Sequence, residues 1–93
     1  DPELYDELVE IYFSDAPTQF ESLKIALSSS DYKTAEQHAN SLKSASGNIG
    51  AEQMQEVARS LEKTLHENHI ADVPAIVERF AEELRALKEY FGK

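Results

Sequence analysis

The spacing of the apolar residues limits what this chain can become more than any other feature. They recur three and four positions apart and nowhere alternate with sustained period two. That is the signature of amphipathic helices, and it argues against strands. The pattern is interrupted at Asp15-Ala16-Pro17, at Ser28 to Asp31, at Gly47 to Gly50 and at Asn68 to Pro74. Each interruption contains residue types that begin or end helices.

Between those marks the segments read in turn. The first carries Leu4, Leu8, Ile11 and Tyr12, with Asp1, Glu3, Asp6 and Glu7 suited to the positive end of a helix dipole. Pro17 fits the first position of a following helix, which offers Phe20, Leu23 and Leu27 on one face. Ser30 or Asp31 can cap the next, with apolar members Ala35, Ala39, Leu42, Ala45 and Ile49 and a terminator at Gly50. Met54, Val57, Ala58, Leu61 and Leu65 define another. The last opens near Val73-Pro74 and lays Ile76 or Val77, Phe80, Leu84, Leu87 and Phe91 along one stripe.

The expected fold is all-α: an antiparallel up-down four-helix bundle with a short additional N-terminal helix. Connections of a few residues suit that topology. The short first segment would either lie across the bundle or extend the second helix.

Composition narrows the function classes. Ninety-three residues make one domain, spanning residues 1–93, and leave little margin for an uneconomical core. The net charge of -9 disfavours nucleic acid and anionic lipid as partners. No apolar run of membrane-spanning length occurs and no signal-peptide pattern opens the chain, so direct membrane contact is not expected and a cytoplasmic location is. With no cysteine, disulfides and thiolate metal sites are excluded. The first residues lack an initiator Met, which suggests a module of a larger signalling protein. No leftover apolar stripe demands a dimer, so a monomer is expected.

The stretch that carries function is Ala39-Asn40-Ser41-Leu42-Lys43-Ser44-Ala45-Ser46-Gly47-Asn48-Ile49-Gly50-Ala51. It resembles the histidine-containing phosphotransfer (HPt) family, whose signature is Ala-His-Ser-Leu-Lys, then small residues, then Asn-Leu-Gly-Ala or near variants. Every position is matched or conservatively replaced except one: the family's histidine falls on Asn40. The acidic leading segment, the Asp-Ala-Pro junction, the apolar helix after it and the Leu61-Glu62 pair extend the likeness over essentially the whole chain.

The resemblance implies a phosphorelay module rather than an enzyme. It would dock response-regulator receiver domains and, with a histidine, shuttle a phosphoryl group between their aspartates. The chain itself would need no cofactor or metal, since the receiver brings Mg²⁺ and an acidic pocket. A hybrid sensor kinase is the expected parent.

Helical geometry supports the placement independently. At about 100° per residue, Ala35, Ala39, Leu42, Ser46 and Ile49 cluster, and Asn40 points roughly 160° away from Leu42 into solvent. A residue that meets another protein belongs on such a face. Lys43 could offer charge to phosphoryl oxygens, with Lys33 adding to the local field. Ser44 and Gly47 are small enough to let a partner's loop approach, and Gly47 costs a helix about 1 kcal/mol relative to Ala, which invites a reason. Gln37, Ser41 and Asn48 complete the expected docking residues.

An asparagine amide is not a nucleophile, because its nitrogen lone pair is delocalised into the carbonyl. As written, the chain should not carry phosphate at position 40. The otherwise intact motif favours an engineered substitution in a working domain over a naturally degenerate domain that binds a receiver or kinase in a regulatory role. His38 projects about 200° from Asn40, at the core edge, and reads as a packed, hydrogen-bonded histidine. His66 and His69 could suggest a metal pair, but a helix C-terminus already accounts for them. No catalytic triad, paired-carboxylate site or phosphate loop stands out. A plain helical structural domain is the remaining alternative.

Overall fold

A computed structural model describes all residues, 1–93. Four helices, α1 (Pro2–Ser28), α2 (Tyr32–Asn48), α3 (Glu52–His66) and α4 (Val73–Phe91), follow one another, with a single 3-10 turn at Ile70–Asp72 before the last. Each packs on the next in sequence, and no helix is long and apolar enough to cross a membrane. Short connections between neighbours force the up-down order the spacing predicts.

The first segment extends the second helix. Twenty-seven residues at about 1.5 Å each make a rod of about 40 Å, matching the 40 Å long axis of the molecule. Pro17 therefore lies inside α1 and does not begin a helix. An interior proline removes one helical hydrogen bond and costs about 3 kcal/mol. The helix continues because its buried row, Val9, Tyr12, Ala16, Phe20 and Leu23, keeps three-four spacing straight through the proline. Fully burying one large apolar side chain contributes about 1.5–3 kcal/mol, so Phe20 and Leu23 together offset the break. The pyrrolidine ring points outward, away from that row.

Each helix ends in the same way. The residue after the C-cap adopts positive φ at Ser30, Gly50 and Asn68, and Gly92 does the same at the end of α4. At α2, the amide of Ala51 donates to the carbonyl of Ser46 (2.9 Å) and that of Gly50 to Gly47 (3.1 Å). These are the paired bonds of a Schellman turn, which reverse the chain in three residues. Asp31 opens α2, its carboxylate accepting from the Thr34 amide at 3.3 Å.

The core joins all four helices, with Leu23, Leu42, Met54, Val57, Leu61, Leu65 and Phe80 fully enclosed. Small residues (Ala35, Ala39, Ser46 and Ala58) line α2 and α3, and this seam is the most intimate of the bundle. Between α1 and α4 the contact is made by rings: Phe20 with Phe80 at 4.6 Å and Phe13 with Phe91 at 5.8 Å between centroids. Ser46 is the one buried polar residue, and its Oγ lies 3.0 Å from the Tyr12 hydroxyl. Leu4 (56% exposed) and Ile11 (57%) stay outside the core, contrary to the expectation for the first segment.

Candidate functional site

The side chains of α2 sort into directions, and the sorting follows from the helix period. Ala35, Ala39, Leu42, Ser46 and Ile49 form the buried row. Asn40 is exposed, as are Lys33, Gln37, Ser41, Ser44, Gly47 and Asn48, whereas Lys43 is half-buried. The structure thus places every proposed site residue except Lys43 on the open part of one helix; Lys43 turns towards α3.

Along the α3 side, four cross-helix contacts run in antiparallel register. The Glu36 carboxylate lies 3.2 Å from Nδ1 of His66. Nδ2 of Asn40 donates to Oε2 of Glu62 at 2.7 Å, and Nζ of Lys43 donates to Oε1 of the same carboxylate, also at 2.7 Å. At the far end the Gln55 amide lies over Gly47, where a Cβ would collide with it. The absent side chain at 47 therefore accommodates a neighbour within the bundle.

Along the α1 side, Nδ1 of His38 lies 2.6 Å from Oε1 of Gln19, in agreement with a packed histidine at the core edge. Further along, Ala45 and Asn48 share a shallow cleft with Leu8, Ile11 and Asp15. The Tyr5 hydroxyl donates to the carbonyl of Ile49 at 2.9 Å, tying the start of α1 to the end of α2. His66 and His69 face different carboxylates, Glu36 and Glu67, and no group of three His, Cys, Asp or Glu side chains is arranged to hold a metal ion.

Comparison with known families decides what kind of domain carries this face. Residues 7–90 match the family described as Hpt domain. The chain belongs to that family. No curated protein and no solved structure gives a match. Hpt domains are phosphocarrier modules of phosphorelays, and the family works with response-regulator receiver domains.

In this Hpt domain the centre of the α2 face is a three-residue cluster. Partial burial opposes the charge on Glu62, but hydrogen bonds from Lys43 and Asn40, with the charges of Lys43 and His66, outweigh it. They hold the carboxyl below the ordinary glutamate value. Both side chains of the ion pair are only about a quarter exposed (Lys43 26%, Glu62 22%). The Lys43 charge is thus committed within the domain and does not project freely from it.

Glu62 and Gln55 were not singled out as site residues by the sequence. Their signal was present: positions 55, 62 and 66 share one side of α3, and Lys43, beside a core row, needs a counter-charge.

Proposed function

We propose that this Hpt domain docks receiver domains through the face of α2 centred on Asn40, and that Asn40 occupies the position from which a family histidine would take the phosphoryl group. The reading is carried by one observation: the residue at 40 is exposed on an open helical face while anchored by a charged pair behind it.

With histidine at 40, a ring N–H would take the place of the Asn40 amide and donate to Glu62. The other nitrogen would then face outward with its lone pair free. That nitrogen would attack phosphorus on the receiver's phospho-aspartate. The N–P bond forms as the acyl P–O bond breaks, and the receiver's carboxylate leaves with the electron pair. Glu62 would balance the positive ring that results.

With asparagine, the donor to Glu62 is kept and the nucleophile is lost, so the shape for docking is retained without transfer. Lys33, Gln37, Ser41, Ser44, Gly47 and Asn48 surround the centre, and Leu8 and Ile11 add an apolar margin beside Asn48. Mg²⁺ belongs to the receiver in this scheme. We place the domain as a monomeric part of a cytoplasmic hybrid sensor kinase in which Asn40 replaces a working histidine. A natural Asn40 would make it a regulatory domain that binds the same partners.

Two measurements test this. Asn40→His, incubated with a panel of phosphorylated receiver domains, should acquire label that the Asn40 chain does not. Titrating the isotope-labelled Asn40 chain with the same receivers should shift resonances of Asn40, Ser44, Gly47 and Asn48. No label in the histidine form from any receiver, or a footprint confined to α4, overturns the proposal.

A further inference from the structure

Three of the four rungs between α2 and α3 are visible as contacts: Glu36 with His66, Asn40 and Lys43 with Glu62, and Gly47 with Gln55. In that antiparallel register, the residue of α3 that falls beside Lys43 and Ser44 is Arg59. It lies one turn from both Glu62 and Gln55 on the same side of the helix.

Arg59 differs from Lys43 in what holds it. Its only ionic partner is Glu56, three residues back on its own helix at 2.5 Å, and both side chains are largely exposed (52% and 64%). Such surface pairs contribute about 0–1 kcal/mol and are readily exchanged for a better partner. Lys43, by contrast, is held by a carboxylate that Asn40 also engages.

The surroundings suit an anionic visitor. Helices α2 and α3 together carry four basic residues (Lys33, Lys43, Arg59, Lys63) and four acidic ones (Glu36, Glu52, Glu56, Glu62). The rest of the chain holds five basic and fourteen acidic residues, so the entire net charge of -9 lies off these two helices. Most of it sits on α1, which carries six acidic residues and one basic, so an acidic protein approaching α1 meets repulsion that it does not meet at α2–α3.

We propose that Arg59 is the cation with which this domain engages the acidic, phosphoryl-bearing pocket of a receiver, in place of the occupied Lys43. Its planar fork suits a carboxylate or phosphoryl group, and its length lets it swing from Glu56 over Ser44 towards position 40. The inference rests on the docking reading above and adds to it the residue that supplies charge.

The test uses the receiver domain that gives the strongest footprint in the titration above, loaded with Mg²⁺ and beryllofluoride. Its affinity is measured for the intact chain and for Arg59→Gln, Arg85→Gln and Ser44→Trp at two salt concentrations. Arg85→Gln makes the same change in net charge on exposed α4 surface. Arg59→Gln should weaken binding about five-fold at low salt, with the deficit shrinking as salt rises, and Arg85→Gln less than about two-fold. Unchanged affinity in Arg59→Gln, with binding abolished in Ser44→Trp, overturns the role of Arg59 and leaves docking at α2 standing. Equal losses in the two arginine variants reduce the effect to overall charge and also overturn it. Full binding by Ser44→Trp removes the docking reading and this inference together.

Discussion

The ammonium of Lys43 lies 2.7 Å from the carboxylate of Glu62, across the seam between α2 and α3. Because the Glu62 carboxyl titrates below the ordinary glutamate value of 4.5, its interactions favour the folded state once it is ionised. That stability is present above about pH 4.5 and is lost as the pH falls through the lowered value. Glu62→Gln should therefore melt below the parent at pH 7, and the gap should close as both are taken to about pH 3. Parallel melting curves across that range would show that the pair adds nothing to stability.

The buried hydroxyls of Tyr12 and Ser46 satisfy one another at 3.0 Å. Removing either partner leaves the other unpaired in the core, which costs about 1–3 kcal/mol. Ser46→Ala and Tyr12→Phe should each destabilise by that order, and the double variant by clearly less than their sum. Burial raises the Tyr12 hydroxyl above its ordinary value of 10, against a lowering by its bond to Ser46. The neutral form is thus the one the fold favours. Stability from this group is complete below pH 10 and falls as pH rises through the raised value, a loss that Tyr12→Phe should lack. Chemical denaturation between pH 7 and 11 measures both effects, and additive losses would mean the hydroxyls act independently.

How much of this could be read from the sequence depends on whether a feature is periodic or relational. The buried row of α2 from Ala35 to Ile49, and the exposure of Asn40 opposite it, follow from helical period alone and were legible. So was the left-handed end at Gly50, because glycine advertises it. Pro17 misled because proline is a strong local signal, and only the unbroken row from Val9 to Leu23 reveals that tertiary burial overrides it. In the sequence Gly47 reads as room for a partner's loop, whereas the neighbour the structure shows there is Gln55 of the next helix. That identity, like the convergence of Asn40 and Lys43 on Glu62, depends on the register between two helices. Spacing within one helix carries no record of it.

Ser30 takes positive φ (+56°) at the end of α1, where the Asp31 amide donates to Ala26 at 2.8 Å. A side chain in that region of backbone space costs about 1–2 kcal/mol relative to glycine. Its hydroxyl has only the Tyr32 hydroxyl, at 3.5 Å, as a neighbour. Ser30→Gly should therefore raise stability by about 0.5–1 kcal/mol, the folded-state relief being offset in part by the greater freedom of glycine in the unfolded chain. Thermal unfolding decides it. A lower melting temperature would mean that the hydroxyl contact outweighs the backbone strain.

Gly47 can separate folding from the proposed docking, because it lies within a helix and is exposed. The atom that meets a Cβ there is the far end of the Gln55 side chain, which can swing aside without moving the backbone. Gly47→Ala also gains about 1 kcal/mol of helix propensity, so its melting temperature should match or exceed that of the parent. The displaced Gln55 amide must then shift from its place over Gly47, and a methyl group is added to the surface proposed for docking. Receiver affinity should fall by several-fold while stability holds or rises, which calorimetric titration and thermal denaturation of the same sample can show together. Unfolding of the variant would mean that Gln55 cannot yield. Unaltered affinity in a well-folded variant would mean that the end of α2 around Gly47 stays clear of the partner.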